Sequence, residues 1–151
     1  MNNKKIIWLT GQPGSGKTTI ANSLKDYFEK INDSNIVVIV DGDDLREITI
    51  NKDYSKNGRV NNIKTAQKIA KFLFNKDFIT IVALVAPYKE LREQFKSSTP
   101  VFEVYLHTDE IRGREHFFAN DYEKPENDYL SIDTGGKSVS ESVEIIYQNL
   151  K

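Results

Sequence analysis

Gly11-Gln12-Pro13-Gly14-Ser15-Gly16-Lys17-Thr18 separates two glycines by four residues and follows the second with a lysine and a hydroxyl. Glycine lets the backbone curl until successive amides aim at one phosphate chain, and a helix starting there adds positive potential. In this pattern Lys17 is expected to reach the β- and γ-phosphates, and Thr18 to put its hydroxyl on Mg²⁺. Gly11, Gly14, Ser15 (through its amide), Gly16 and Thr19 complete the expected nucleotide site. The competing reading is a glycine-rich turn that holds nothing. The motif's context argues against it, because an apolar run precedes the loop and an amphipathic pattern follows it.

A second group of reactive side chains is Asp41-Gly42-Asp43-Asp44-Leu45-Arg46. Three acids this close repel one another unless cations or donors offset them. Lys17, Arg46 and a bound Mg²⁺ are the candidates. Asp43 is suited either to the metal or to taking a proton from an attacking hydroxyl. Asp41 divides between the acceptor site and tying down its loop, and an ordinary acidic helix cap accounts for part of the pattern. His107 and His116 lack metal-ligand partners at usable spacing and read as ordinary histidines.

These residues need a scaffold that brings strand ends together. Short β-rich runs occur at Lys5–Leu9, Ile36–Val40, Phe78–Val85, Val101–Leu106 and Tyr129–Ile132. The first three read as nearly continuous apolar runs, as in strands covered on both faces. Between the runs, Thr18–Ile31 places Ile20, Leu24, Phe28 and Ile31 on one helical face. Arg59–Asn75 repeats this with Val60, Ile63, Ile69, Ala70 and Leu73, and Ser138 with Glu141 opens a last helix at capping-box spacing. The alternation predicts an α/β fold of the P-loop NTPase type, a five-stranded parallel sheet with helices on both faces. Ligands then gather at the C-terminal strand ends, where Asp41 and Asp43 fall.

A length of 151 residues fits one domain, 1–151. The net charge of −1 advertises no basic face and argues against a nucleic-acid binder. With no cysteine, disulfides and thiolate metal sites are excluded, which suits a reducing cytoplasm. The longest apolar stretch, Phe78 to Ala86, is too short for a membrane span. Neither Asn51-Lys52-Asp53 nor Asn75-Lys76-Asp77 has the N-K-x-D spacing with which small GTPases read guanine. A small-molecule kinase fits better than a motor or helicase.

Taken in order, Gly11–Thr19, Asp41–Arg46, Tyr54-Ser55 through Arg59 and Asn62, Ala86-Pro87-Tyr88 and Tyr122–Thr134 resemble the adenylylsulfate kinase family over nearly the whole chain. The resemblance implies phosphoryl transfer from ATP, with Mg²⁺, to the ribose 3′-hydroxyl of a small-molecule nucleotide. It implies that Asp43 lies beside the acceptor hydroxyl and metal, and that Arg46 binds the acceptor. Tyr54 stands where the family stacks a phenylalanine on the base. Arg59 and Asn62 match the residues gripping the 5′-phosphate side, and Ala86 and Pro87 match the pocket wall. Family members are often dimers, so a homodimer stays open.

Two departures matter. Gly58 stands where the family usually has aspartate, and His107–Asp128 is a 22-residue stretch without the family's basic lid run. Arg112 or Arg114 is left to supply the lid's charge or to stack on the ATP base, which Thr134 also borders. A trimmed lid and Ala-Pro-Tyr in place of Ser-Pro-Tyr are similar to cytidine diphosphoramidate kinases within the same architecture. The sequence thus leans to a cytidine acceptor, with adenylyl sulfate as the alternative. A kinase of another small alcohol and an ATP-binding module without turnover are the remaining readings.

Overall fold

The computed structural model describes residues 6–31 and 35–150. The strands β1 (Ile6–Thr10), β2 (Val37–Asp41), β3 (Ile79–Ala83), β4 (Val101–His107) and β5 (Leu130–Asp133) are all parallel, in the order β2-β3-β1-β4-β5. Alternation along each strand divides the core into two layers. On one face Ile7, Leu9, Ile81, Val104 and Leu106 meet Ile20, Leu24 and Phe28 of α1 (Lys17–Ile31) and Val143 and Ile146 of α5 (Val139–Leu150). On the other, Ile6, Trp8, Val40 and Val82 meet Leu45 of α2 (Gly42–Thr49), Ile63, Ala66 and Ala70 of α3 (Lys56–Asn75), and Phe95 of α4 (Lys89–Ser98). The expected doubly covered parallel sheet is therefore present.

Strand limits differ from the sequence expectation by one or two residues, and Lys5 lies outside the described residues. Ser138 Oγ accepts the Glu141 N–H at 3.1 Å, as the capping-box spacing predicts. The helices α2 and α4 are amphipathic but short, with few apolar residues each, and the sequence reading does not mark them. The fully buried side of α4 presents Arg92 and Phe95, so a charge takes the place of an apolar residue. No helix among the described residues is long and apolar enough to cross a membrane.

Strand β1 lies between β3 and β4, so the chain crosses to opposite sides of it. That reversal opens a crevice at the C-terminal strand ends, where α/β sheets hold ligands.

Candidate functional site

One cleft of about 1050 Å³ occupies this crevice, lined among others by Gly14, Lys17, Thr18, Asp41, Asp43, Arg46, Tyr54, Arg59, Asn62, Ala86, Pro87, Arg112 and Arg114. A typical single-ligand site is roughly 300–1,000 Å³, so the cleft stands at the top of that range.

The loop between β1 and α1 forms its floor. Gly14 and Gly16 take φ of 83° and 104°, which side chains with a Cβ rarely adopt. Lys17 Nζ folds back onto the carbonyls of Gly11 and Gln12, each at 2.9 Å. Burial holds its pKa down at about 8, against Asp41 and Asp43, which raise it, and with Arg114, which lowers it further. Ser15 is buried, and its amide donates to Gln12 O at 3.1 Å, so that N–H is engaged within the turn. Gln12 also exchanges two bonds with the backbone of Ala119, both 2.9 Å, fastening the loop to a distant segment.

Asp41 caps α2. Its Oδ1 accepts the Asp43 N–H and its Oδ2 accepts the Thr18 hydroxyl, both at 2.9 Å. Asp41 thus ties down its loop as one reading of the sequence has it, and it also lines the cleft. Asp43 is exposed and faces the cleft. Such an arrangement fits a hard cation, because the Thr18 hydroxyl and two carboxylates are oxygen donors beside the phosphate loop. Thr18 is bonded to Asp41 in this set, whereas the sequence paired Thr18 with Asp43 for the metal.

The opposite wall comes from the turn after α2 and from the start of α3. Arg46 Nη1 donates to Asp53 O at 2.9 Å and to Asn51 O at 3.2 Å, and its guanidinium sits 4.0 Å from the Tyr54 ring centre. One face of Tyr54 is thus taken by a cation and the other is open; the residue is 63% exposed. Arg59 lines the cleft, and Asn62 is buried with Oδ1 lacking a partner while Nδ2 reaches Gly42 O at 3.4 Å. Gly58 is enclosed by this turn: a Cβ there would overlap the Asp53 carbonyl. No larger residue fits where the family usually has aspartate.

Ala86 has φ 44°, an unfavourable conformation for a residue with a Cβ. Its carbonyl accepts from Arg92 Nη1, and Arg92 Nη2 bonds Glu123 O. The Arg92 Nε lies 3.2 Å from Glu103 Oε2, with both side chains almost fully buried. Burial raises the Glu103 pKa, and Lys96 and Arg92 oppose that rise. Lys96 Nζ meets Glu103 Oε1 at 3.1 Å and Asn127 O at 2.6 Å, while Lys89 meets Glu126 at 2.9 Å. Three cations on α4 thereby strap residues 123–128 down. Tyr122 leads into this strap, its hydroxyl 2.8 Å from that of Thr10 and its pKa pushed up by burial.

Thr134 is buried, with its hydroxyl on Ser15 O at 2.9 Å, so it braces the phosphate loop. Arg112 links Gly14 O and Thr134 O, and Arg114 stands over the loop nearby. His116, Phe117 and Phe118 also line the cleft. Sequence reasoning set His116 aside and did not single out the two phenylalanines, Gln12 or Arg92. Three adjacent aromatic rings in a polar stretch were the signal available for the first group.

The adenylylsulphate kinase family profile matches residues 3–127. The chain is 30% identical over 170 residues to a probable adenylyl-sulfate kinase of Aeropyrum pernix, covering 97% of this chain and 92% of that one. It is 31% identical over 171 residues to the cytidine diphosphoramidate kinase of Campylobacter jejuni, covering 99% and 98%. Both alignments are longer than this chain's 151 residues, so each relative carries segments that this chain lacks. The fold also matches that of the Mycobacterium tuberculosis APS kinase in complex with AMPPNP and APS (TM-score 0.82, 20% identity, 98% of both chains covered).

Proposed function

The chain belongs to the adenylylsulphate kinase family of P-loop kinases, and from that membership and the cleft we propose transfer of the ATP γ-phosphoryl group to the ribose 3′-hydroxyl of a 5′-activated nucleotide. What carries this reading is the meeting, in one cleft, of Lys17, Thr18, Asp41 and Asp43 with Arg46, Tyr54, Arg59, Asn62, Ala86 and Pro87. Asp43 accepts the hydroxyl proton as the acceptor oxygen bonds to the γ-phosphorus. The bond from that phosphorus to the β–γ bridging oxygen breaks, leaving ADP and a 3′-phosphate. Lys17 turns from the loop carbonyls onto the β- and γ-phosphates. Little covalent chemistry is asked of the protein, so alignment and charge stabilisation dominate. Magnesium, when bound with the nucleotide, would be held by Thr18 and, through water, by Asp41 and Asp43, supplying charge neutralisation at the phosphates.

The acceptor base stacks on the open face of Tyr54, where stacking contributes about 1–3 kcal/mol with little base preference. Arg46, Arg59 and Asn62 take the 5′ anhydride side. A cytidine diphosphoramidate is the first acceptor to try, on the strength of Ala86 in place of the usual serine. Adenylyl sulfate is the alternative, supported by the names of several relatives. The shortened lid no longer separates the two, since relatives of both kinds align over similar lengths.

The test is ADP release from Mg²⁺·ATP with adenylyl sulfate, cytidine 5′-diphosphate and its phosphoramidate, with the product mapped by phosphorus NMR. A new 3′-phosphate on one nucleotide, lost in Lys17→Ala by about 3 kcal/mol or more of transition-state stabilisation, is the expected outcome. ATP binding with no turnover on any nucleotide overturns the reading.

A further inference from the structure

Two arginines cross the phosphate loop, and their bonding differs. Arg112 is committed: Nη1 donates to Gly14 O at 2.9 Å, Nη2 to Thr134 O at 3.2 Å, and Nε and Nη2 to Glu110 Oε2 at 3.3 and 3.1 Å. These bonds leave few of a guanidinium's five N–H groups for a ligand. They tie the loop to the end of β5. The backbone N–H of Arg114 is held by Glu115 Oε2 at 2.8 Å. Among the described residues its guanidinium makes no hydrogen bond or ion pair, and it rests 5.3 Å from the Phe117 ring centre.

The stem of Arg114 stands directly on the loop. A Cβ at Gly14 would lie 3.2 Å from the Arg114 Cβ, so the glycine leaves room for this approach. Arg114 and Lys17 line the same cleft. Two cations sharing one cleft repel each other when it is empty, and a polyanion relieves that repulsion. Between His107 and Tyr122 the only other arginine or lysine is Arg112, which is already committed.

We propose that Arg114 supplies the cation that neutralises charge building on the transferring phosphoryl group and its leaving oxygen, while Arg112 is a positioning residue for the loop. This assignment rests on the kinase reading above. A residue in that role is worth about 10³–10⁵ in turnover where it has been measured in phosphoryl transfer. Arg114 reaches the nucleotide by leaving the face of Phe117, a stacking contact worth only about 0.5–1 kcal/mol at an exposed site.

The experiment compares Arg114→Met, Arg114→Lys and Arg112→Met with wild type. It measures acceptor-dependent turnover, single-turnover hydrolysis of ATP by water, and ADP affinity by calorimetry. Arg114→Met is expected to lower kcat and hydrolysis at least 100-fold, with KM for ATP and ADP affinity within threefold. Arg114→Lys should recover part of that loss. Arg112→Met should instead raise KM for ATP and weaken ADP binding. Hydrolysis within threefold of wild type in Arg114→Met, or a loss matched in ADP affinity, overturns the assignment. A wild-type enzyme silent on every nucleotide acceptor sinks the acceptor reading, while water hydrolysis still decides the role of Arg114.

Discussion

Replacing Gly58 by alanine sets two effects of opposite sign against each other. Gly58 lies in the first turn of α3, where alanine has the better helix propensity by up to about 1 kcal/mol. The added Cβ, however, would overlap the carbonyl of Asp53 and the Asp53 Cβ. That neighbour is mostly backbone, held by Arg46 Nη1 at 2.9 Å, and the turn is closed by Asn51 Nδ2 on Gly58 O at 3.0 Å. Overpacking costs about 1–3 kcal/mol, and an overlap this deep with backbone belongs in the upper part of that range, about 2–3 kcal/mol. If the turn swings outward instead, the Arg46–Asp53 bond is lost, at about 1.5–3 kcal/mol for a charged donor. The clash wins, and Gly58→Ala is expected to be less stable by about 1–2 kcal/mol net of propensity. In a chain of this size that is a drop of about 2–8 °C in Tm. Tyr54 rides on the same turn, so KM for the acceptor rises several-fold while KM for ATP holds. Urea denaturation and steady-state kinetics on one preparation measure both. A variant as stable as wild type, with an unchanged acceptor KM, would refute the reasoning.

Lys17 has a folded-state pKa of about 8 against an ordinary 10.5. The folded protein therefore releases this proton first, and stability gained from this group rises as pH goes from about 8 to 10.5. Nucleotide binding needs the charged form, so ATP affinity should fall up to about tenfold by pH 9 and binding near pH 8 should take up protons; calorimetry in two buffers of different ionisation enthalpy reads this, and Lys17→Arg should abolish it. Arg92→Met leaves Glu103 buried beside Lys96 alone, and a loss of about 3–5 kcal/mol in urea denaturation is expected. Glu103→Gln alone should also destabilise, because it leaves the buried Arg92 charge without its carboxylate. Combined with Arg92→Met it should restore part of the stability but not the acceptor KM, because the Ala86 and Glu123 carbonyls remain without their donor.

Most of the sheet was legible because its strands are short apolar runs separated by helical periodicity, and a glycine loop with lysine and threonine has one common use. The helix α4 was hidden because a buried arginine occupies its inner face. Asp41 could be placed at a strand end from sequence, but its double service to Thr18 and to the Asp43 amide depends on three-dimensional approach. The same holds for Ser15 and Thr134, whose bonds join loops more than a hundred positions apart. Arg112 and Arg114 are chemically identical in the sequence, and only their partners tell them apart.

The strap over α4 has a consequence for how this architecture changes length. Lys89, Arg92 and Lys96 succeed one another about a turn apart and fasten residues 123–128 at Glu126, Glu123 and Asn127. An insertion within 123–128 would throw that engagement out of step. The chain between Thr108 and Asn120 is held at separate points instead, by Glu110 on the Gly136 N–H, by Arg112 on the Gly14 and Thr134 carbonyls, and by Gln12 on Ala119. Residues can be gained or dropped between Arg114 and Ala119 without breaking those ties. A kinase of this build can therefore lose much of its cover while the walls on either side stay in register, and the length of the cover becomes a freely adjustable dimension.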